Sequence, residues 1–250
     1  MSTDISLRIA RCMADYGRHL ARSLGGRIDE WNGVVLCDAG LASPYRNLAV
    51  PLRPLEPDDL PELGQQLAKF YRPDTKWVVW SSFPEDLSAA GLRFSWSNPT
   101  MYRYQPGEPP LPAPETPPDF VIAEISHDAD MAVFERVRNS CYPNSLAVNE
   151  SGRRLDSRVL GNGTRHWMGR IGTEVVATAA AYDNGDLNVV KNISTLQRFR
   201  KQGIGAAMSV HAVNSSPRPA MLDADPDGRR LYQRLGFRDA GAVCFWNLPD

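Results

Sequence analysis

The sequence predicts an α+β fold, and three observations carry that expectation. Leu187–Ile193 is a short run rich in Val and Ile; it leads through a polar, basic stretch, Ser194–Gln202, into Gly203-Ile204-Gly205 and the apolar run Ile204–Val213. A strand, a turn and a helix follow one another there. Arg165–Ile171 and Glu174–Tyr182 alternate on either side of Gly172-Thr173, the pattern of a hairpin. Asp225–Leu235 has helical spacing and stops at Gly236 before a last strand, Val243–Leu248.

In chain order, Ile5, Ile9, Met13, Tyr16 and Leu20 recur three or four residues apart, so Ile5–Leu24 is an amphipathic helix ended by Gly25-Gly26. Arg8, Arg11, Arg18 and Arg22 occupy its other face, which reads as a solvated face rather than a nucleic-acid surface. Trp31–Cys37 and Leu48–Leu52 are strand candidates. Asp58-Asp59 starts a helix running to about Tyr71, with Leu60, Leu63, Leu67 and Phe70 on one side. Lys76–Trp80 is a strand, Pro84–Ala90 a short helix and Pro99–Tyr104 a further strand. Gln105–Phe120 holds seven of the 20 prolines, too many for a helix or a central strand, and reads as an extended linker. The chain is thus expected to divide into a smaller N-terminal α/β domain over 1–104, a Pro-rich linker over 105–118 and a second domain over 119–250. In the second, Phe120–Ile125 is an edge strand, His127–Asn139 a helix, Cys141–Leu160 irregular and Ala220–Asp223 a short strand.

A chain of 250 residues can hold one large domain or two small ones. A net charge of -1 argues against a nucleic-acid or membrane surface spread over the whole molecule. No apolar run reaches the ~18 residues of a membrane span, and MSTDISLRIARCMADYGRHL lacks the apolar core of a signal peptide. A cytoplasmic location is expected. Cys12, Cys37, Cys141 and Cys244 are widely spaced with no C-x-x-C pair, and the histidines have no metal-ligand spacing. Neither a disulfide framework nor a metal is expected.

The first N–H groups of a helix lack carbonyl partners, and its dipole favours negative charge. The start of Ile204–Val213, with two glycines and nearby cations, is therefore an anion site. A Walker loop would need Gly-Lys-Ser/Thr, and the dinucleotide fingerprint a third Gly where Met208 stands. The chain has instead Arg200-Lys201-Gln202-Gly203-Ile204-Gly205 after a strand, and about thirty residues later Leu231-Tyr232-Gln233-Arg234-Leu235-Gly236-Phe237. Together these resemble the acetyl-CoA signature and closing helix of the GCN5-related N-acetyltransferase (GNAT) superfamily, over Phe120–Asp250. Leu87-x-x-x-Gly91-Leu92-x-Phe94 echoes the closing helix, so the first half looks like a degenerate copy without the basic Gly-x-Gly turn. An unrelated α+β domain is the alternative.

The resemblance implies a GNAT fold, a mixed central sheet with a splayed parallel strand pair flanked by helices, and acetyl-CoA as cosubstrate. The pyrophosphate is expected on backbone N–H groups of Gln202, Gly203, Ile204, Gly205 and Ala206, with Arg198, Arg200 and Lys201 adding charge. The pantetheine arm would pair with Ile193, Ser194 and Thr195 while Ala220–Asp223 splays away. Tyr232 matches the family tyrosine near the sulfur and is the candidate general acid. Asp225 stands where many members have Asn or Ser facing the arm; it could equally be a helix cap alone. The Glu that many members carry before the basic turn is missing, and Asn188 and Val189 occupy that place. Asp186 is the nearest carboxylate, a base through water or an exposed turn residue, with Glu150 and Asp156 in reserve. Cys141, beside Tyr142, would be a nucleophile only with an activating base.

The implied activity is acetyl transfer by direct attack of a primary amine of a small molecule on acetyl-CoA. The alternatives are a protein lysine or N-terminal acetyltransferase and a non-catalytic acyl-CoA-binding sensor. No nucleic-acid or membrane partner is expected, and the chain would be a monomer or a homodimer.

Overall fold

The computed structural model describes residues 3–103, 109–141, 154–226 and 228–249. Helix α1 (Thr3–Leu24) buries Ile9, Met13, Tyr16 and Leu20 and turns its arginines outward. It lies close on the sheet because Gly17 has no side chain; a Cβ there would meet Cys37 at 3.2 Å.

Where one strand was expected at Trp31–Cys37, the chain makes a hairpin of β1 (Arg27–Trp31) and β2 (Val34–Asp38). Asn32 and Gly33 both take positive φ, 45° and 76°, as a two-residue type I′ turn requires. Strand β3 (Asn47–Pro51) follows, then α2 (Leu60–Phe70) and β4 (Val78–Ser81). The helix expected over Pro84–Ala90 is reduced to a 3-10 turn, Ser88–Ala90, stopped by Gly91 at φ 75°. Beyond it β5 (Arg93–Arg103) is much longer than the strand expected.

The second half supplies β6 (Phe120–Glu124), α3 (Asp128–Cys141), β7 (Thr164–Ile171), β8 (Glu174–Asp183), β9 (Asn188–Thr195), α4 (Ile204–Asn214), β10 (Ala220–Asp223), α5 (Arg229–Arg234) and β11 (Arg238–Asn247). Helix α5 is shorter than expected because Asp225 closes a turn of its own before it, accepting the Gly228 N–H at 2.6 Å.

Among the described residues eleven strands join one sheet, in the order β1-β2-β3-β4-β11-β5-β10-β9-β8-β7-β6. Two neighbouring pairs are parallel, β3 with β4 and β9 with β10, each linked by one crossover helix, α2 and α4. The others are antiparallel. The strands that follow these units change places: β5 pairs with β10, and β11 pairs with β4. They also pair with each other, Phe245 opposite Trp96. Each is launched by a left-handed glycine, Gly91 at φ 75° and Gly236 at φ 82°. The two halves therefore share a sheet rather than meeting at a surface.

The Pro-rich stretch runs along α4. Asn214 clamps Leu111 twice, accepting its N–H at 3.0 Å and donating to its carbonyl at 2.9 Å.

Candidate functional site

The site begins where β9 and β10 part. They are paired only at Asn188–Ala220 and Val189–Met221. Asn188 holds the apex, donating from Nδ2 to the Ala212 carbonyl at 3.0 Å in the last turn of α4. Beyond the apex β10 stays on β5, with Leu222 opposite Met101 and Asp223 opposite Thr100. Strand β9 stays on β8 but breaks register between Thr178 and Ala180, where Asn192 takes φ 54°. The bulge bends the strand. Thr178 secures it, donating to the Asn192 carbonyl at 2.8 Å. From Val190 on, this edge of β9 has no register partner on β10.

At the far end of this edge lies the basic turn. Lys201 and Gly203 take positive φ, 63° and 78°, which swings the chain into α4. Arg200 Nε donates to the Thr195 carbonyl at 3.2 Å and braces the turn. The helix ladder starts with Ala207 N–H to the Gly203 carbonyl, so the N–H groups of Ile204, Gly205 and Ala206 have no carbonyl within the helix. Buried Ile204 anchors this end in the core.

A groove of about 270 Å³ follows the edge, lined by Ile193, Ser194, Thr195, Arg200, Lys201, Asp225 and Tyr232 with Cys141, Gly228 and Leu231. It gathers seven of the residues expected from the sequence. Gly203, Ile204, Gly205 and Ala206 form the helix start beyond it, and Gln202 folds back, its amide 3.4 Å from the Arg198 carbonyl. Arg198 turns away to an ion pair with Glu174 and lies over the Phe199 ring. Tyr232 is 8% exposed, and its ring meets Phe237 at 5.9 Å, nearly edge-on.

Asp186 is elsewhere. It sits in a turn closed by the Asn184 side chain, in a two-pronged ion pair with Arg8 of α1, at 3.0 and 2.6 Å. That hydrogen-bonded guanidinium holds its carboxyl below the ordinary range. Asp186 does not line the groove or the pocket described next. Asp156 caps the short turn Ser157–Val159 and pairs with Arg158 at 2.6 Å. Glu150 and Tyr142 lie outside the described residues.

Past the bulge the groove opens into a pocket of about 290 Å³ drawn from both halves of the chain. A smaller cavity joins them, sharing Ile193, Asp225 and Tyr232 with the groove and Lys191, Asn192 and Asp223 with the pocket. Tyr16, Tyr45, Trp80, Trp96 and Phe245 supply aromatic walls. Two charges there escaped the sequence reading. Lys191 Nζ lies 3.6 Å from Met13 Sδ and 4.9 Å from the Tyr16 ring centre. Burial pushes its ammonium below the ordinary lysine range, against the pull of Asp223. Asp223 has its Oδ1 shielded from solvent without a hydrogen-bond partner. Burial pushes this carboxyl up, opposed by the charge of Lys191 and by Trp80 and Thr100. The signal for both was a charged residue directly after an apolar run, Val189-Val190 before Lys191 and Ala220–Leu222 before Asp223, one on each side of the parting.

Arg46 and Arg138 also face the pocket. Arg46 is fully engaged with Glu135 in a buried, two-pronged pair at 2.8 and 2.5 Å. Among the described residues no group of three or more His, Cys, Asp or Glu could hold a metal ion, and no helix is long and apolar enough to cross a membrane.

No family model matches the chain, and no curated protein matches it. Solved structures do. A GCN5-related N-acetyltransferase from Kribbella flavida superposes with a TM-score of 0.74 at 20% identity, over 98% of this chain and 96% of that one. A GCN5-related N-acetyltransferase-like protein from Streptococcus suis gives 0.53 at 14% identity, over 99% and 100%. A conserved protein of unknown function from Staphylococcus epidermidis gives 0.59 at 14% identity, over 89% and 94%. The likeness spans both halves and the parted strand pair together: the chain has the fold of the GCN5-related N-acetyltransferases.

Proposed function

We propose that this chain is an acetyl-CoA-dependent N-acetyltransferase acting on a small amine. The observation that carries the reading is the alignment of three features along one line. A basic helix start, the edge of β9 where it parts from β10, and a charged, aromatic pocket lie in succession, the cavities sharing Lys191, Asn192, Ile193, Asp223, Asp225 and Tyr232 among them.

The donor's groups fit these features. Arg200, Lys201 and the free N–H groups of Ile204–Ala206 would hold a pyrophosphate. The backbone of Ile193–Thr195 would hold the amides of a pantetheine arm as a neighbouring strand would. When bound, acetyl-CoA supplies an acetyl group activated as a thioester. Asp223, at the pocket end, accepts the proton of the incoming ammonium at Oδ1; burial raises its affinity for protons, which suits a general base. Tyr232, at the junction of groove and pocket, donates its hydroxyl proton to the departing sulfur. Asp186 is replaced in the role of base, because its ion pair with Arg8 keeps it ionised and outside the pocket.

We read the first half, 1–104, as a silent copy of the second, 119–250, joined by the Pro-rich stretch 105–118. The unit β3–α2–β4 matches β9–α4–β10 in its parallel crossover, and both halves end in an exchanged strand. The approach to α2 is acidic, with Glu56, Asp58 and Asp59, whereas the approach to α4 carries Arg200 and Lys201; the former would repel a pyrophosphate. A pocket of this size, closed by both halves, favours a small amine over a peptide.

The test is thiol release from acetyl-CoA in the presence of a broad amine panel, with acetyl-CoA binding measured by calorimetry alongside. Turnover supports the enzyme reading. Binding without turnover for any amine would make the chain a CoA-binding module.

A further inference from the structure

Two of the pocket's charges feel each other's field without being joined in an ion pair. Lys191 and Asp223 both face the pocket, with opposite sign. Lys191 rests on a thioether and a phenol ring, and Asp223 keeps Oδ1 unpartnered. The remaining charges are engaged: Arg46 by Glu135, Arg138 by Asn192 and Asn139, Asp225 by the Gly228 N–H. A shielded charge is costly without a counter-charge or hydrogen bonds. The complement of this pair is a molecule carrying an ammonium and a carboxylate close together.

The wall beside them is flat and aromatic. Trp96 and Phe245 stack at 4.5 Å with 15° between their planes, and Tyr45 stands edge-on to both, at 5.4 and 6.0 Å. Trp96 and Tyr45 are only half-buried, so their rings leave surface for a further ring to pack against.

We propose that the acceptor is an amino acid with an aromatic side chain, its ammonium on Asp223, its carboxylate on Lys191 and its ring against the Trp96–Phe245 stack. The proposal rests on the acetyltransferase reading. In the step it specifies, Asp223 first removes one proton from the ammonium. The nitrogen lone pair then attacks the thioester carbon, a C–N bond forms and the C–S bond breaks with its electrons going to sulfur. Tyr232 protonates the sulfur and recovers a proton from the nitrogen as the amide forms; the first proton leaves Asp223 for solvent.

The test compares three matched sets by thiol release and product mass: phenylalanine, tyrosine and tryptophan; the corresponding arylethylamines, which lack the carboxylate; and alanine and leucine, which lack the ring. The expected result is a kcat/KM for the aromatic amino acids at least about tenfold above both other sets. Lys191→Met should shrink the ratio of amino acid to arylethylamine toward one, and Lys191→Arg should restore part of it. Melting temperature confirms that each variant is folded. Arylethylamines or aliphatic amino acids preferred by the wild type, or a ratio unmoved by Lys191→Met, would overturn the proposal. Turnover of other amines with none of aromatic amino acids would sink this inference alone, whereas no turnover of any amine would sink the enzyme reading beneath it.

Discussion

The carbonyl oxygen of Glu115 occupies the space that a side chain on Gly203 would need. The Pro-rich stretch and the turn that starts α4 are thus in main-chain contact, and Gly203 also takes φ 78°. A Gly203→Ala variant must bear the left-handed backbone, about 1–2 kcal/mol, and displace Glu115 as well. We expect a melting temperature lower by several degrees with or without acetyl-CoA. Gly205→Ala is the control: its new methyl would meet only Thr195 Oγ1, at 3.5 Å, and should leave stability within about 0.5 kcal/mol. Equal melting of Gly203→Ala and the wild type would show that the contact contributes nothing.

Asp186 and Arg8 tie the turn before β9 to α1. Their side chains are 27% and 52% exposed for Arg8 and Asp186 respectively, so solvent screens the pair and its worth is at most about 1 kcal/mol. Asp186→Asn should leave the pH–rate profile in place and the rate within about twofold. A displaced acid limb in that variant would return Asp186 to the chemistry.

The contrast between Asp186 and Asp223 marks how far the sequence could be read. The strand, basic turn and helix around Gly203 were legible because each rests on local chemistry: Val and Ile runs, left-handed glycines, unpaired helix N–H groups. So was the hairpin at Gly172-Thr173. The Asn32-Gly33 turn carried an equally local signal, but it sits inside the run Trp31–Cys37 that reads as one short strand. The exchange of β5 and β11 has no local signature, since pairing between distant strands leaves no mark on periodicity. The pocket depended on that exchange. Trp96 and Phe245 come from opposite halves of the chain and meet only because the two strands pair. Lys191 and Asp223 face one cavity only because β9 and β10 part just before them.

Asp223→Asn removes the proposed base and should lower kcat about 10²- to 10⁴-fold, with acetyl-CoA affinity little changed by calorimetry. The pH profile gives a second readout. The reaction needs Asp223 ionised, and burial raises its pKa, so activity should climb with pH through a midpoint above the ordinary carboxylate range. The Lys191 charge works against that rise. Lys191→Met should therefore move the acid limb of kcat/KM to still higher pH. A limb that stays put, or moves lower, would mean that another group takes the proton.

His166 provides a test of stability rather than rate. The ring is 1% exposed, stands edge-on to Phe134 at 5.0 Å, and has no hydrogen-bond partner on either nitrogen. Burial, helped by the Arg46 charge, holds its pKa down to about 3. The imidazole is therefore neutral in the fold, while in the unfolded chain it takes up a proton below about 6.5. Its contribution is complete above that pH and is lost as the pH falls toward 3, by about 1.5 kcal/mol between pH 6.5 and 5. Glu135, held low against its own burial by Arg46, adds its loss only below the ordinary carboxylate range of about 4.3. The two windows are separable. His166→Met exchanges two unpartnered nitrogens for an apolar chain of similar reach, so at pH 7 it should match or exceed the wild type in stability. Between pH 6.5 and 5, denaturant midpoints of the wild type should fall more steeply than those of His166→Met, in which His211, also held low by burial, still titrates. A wild-type midpoint that is flat across that interval would mean that water or a moving neighbour reaches the ring and lets it charge inside the fold.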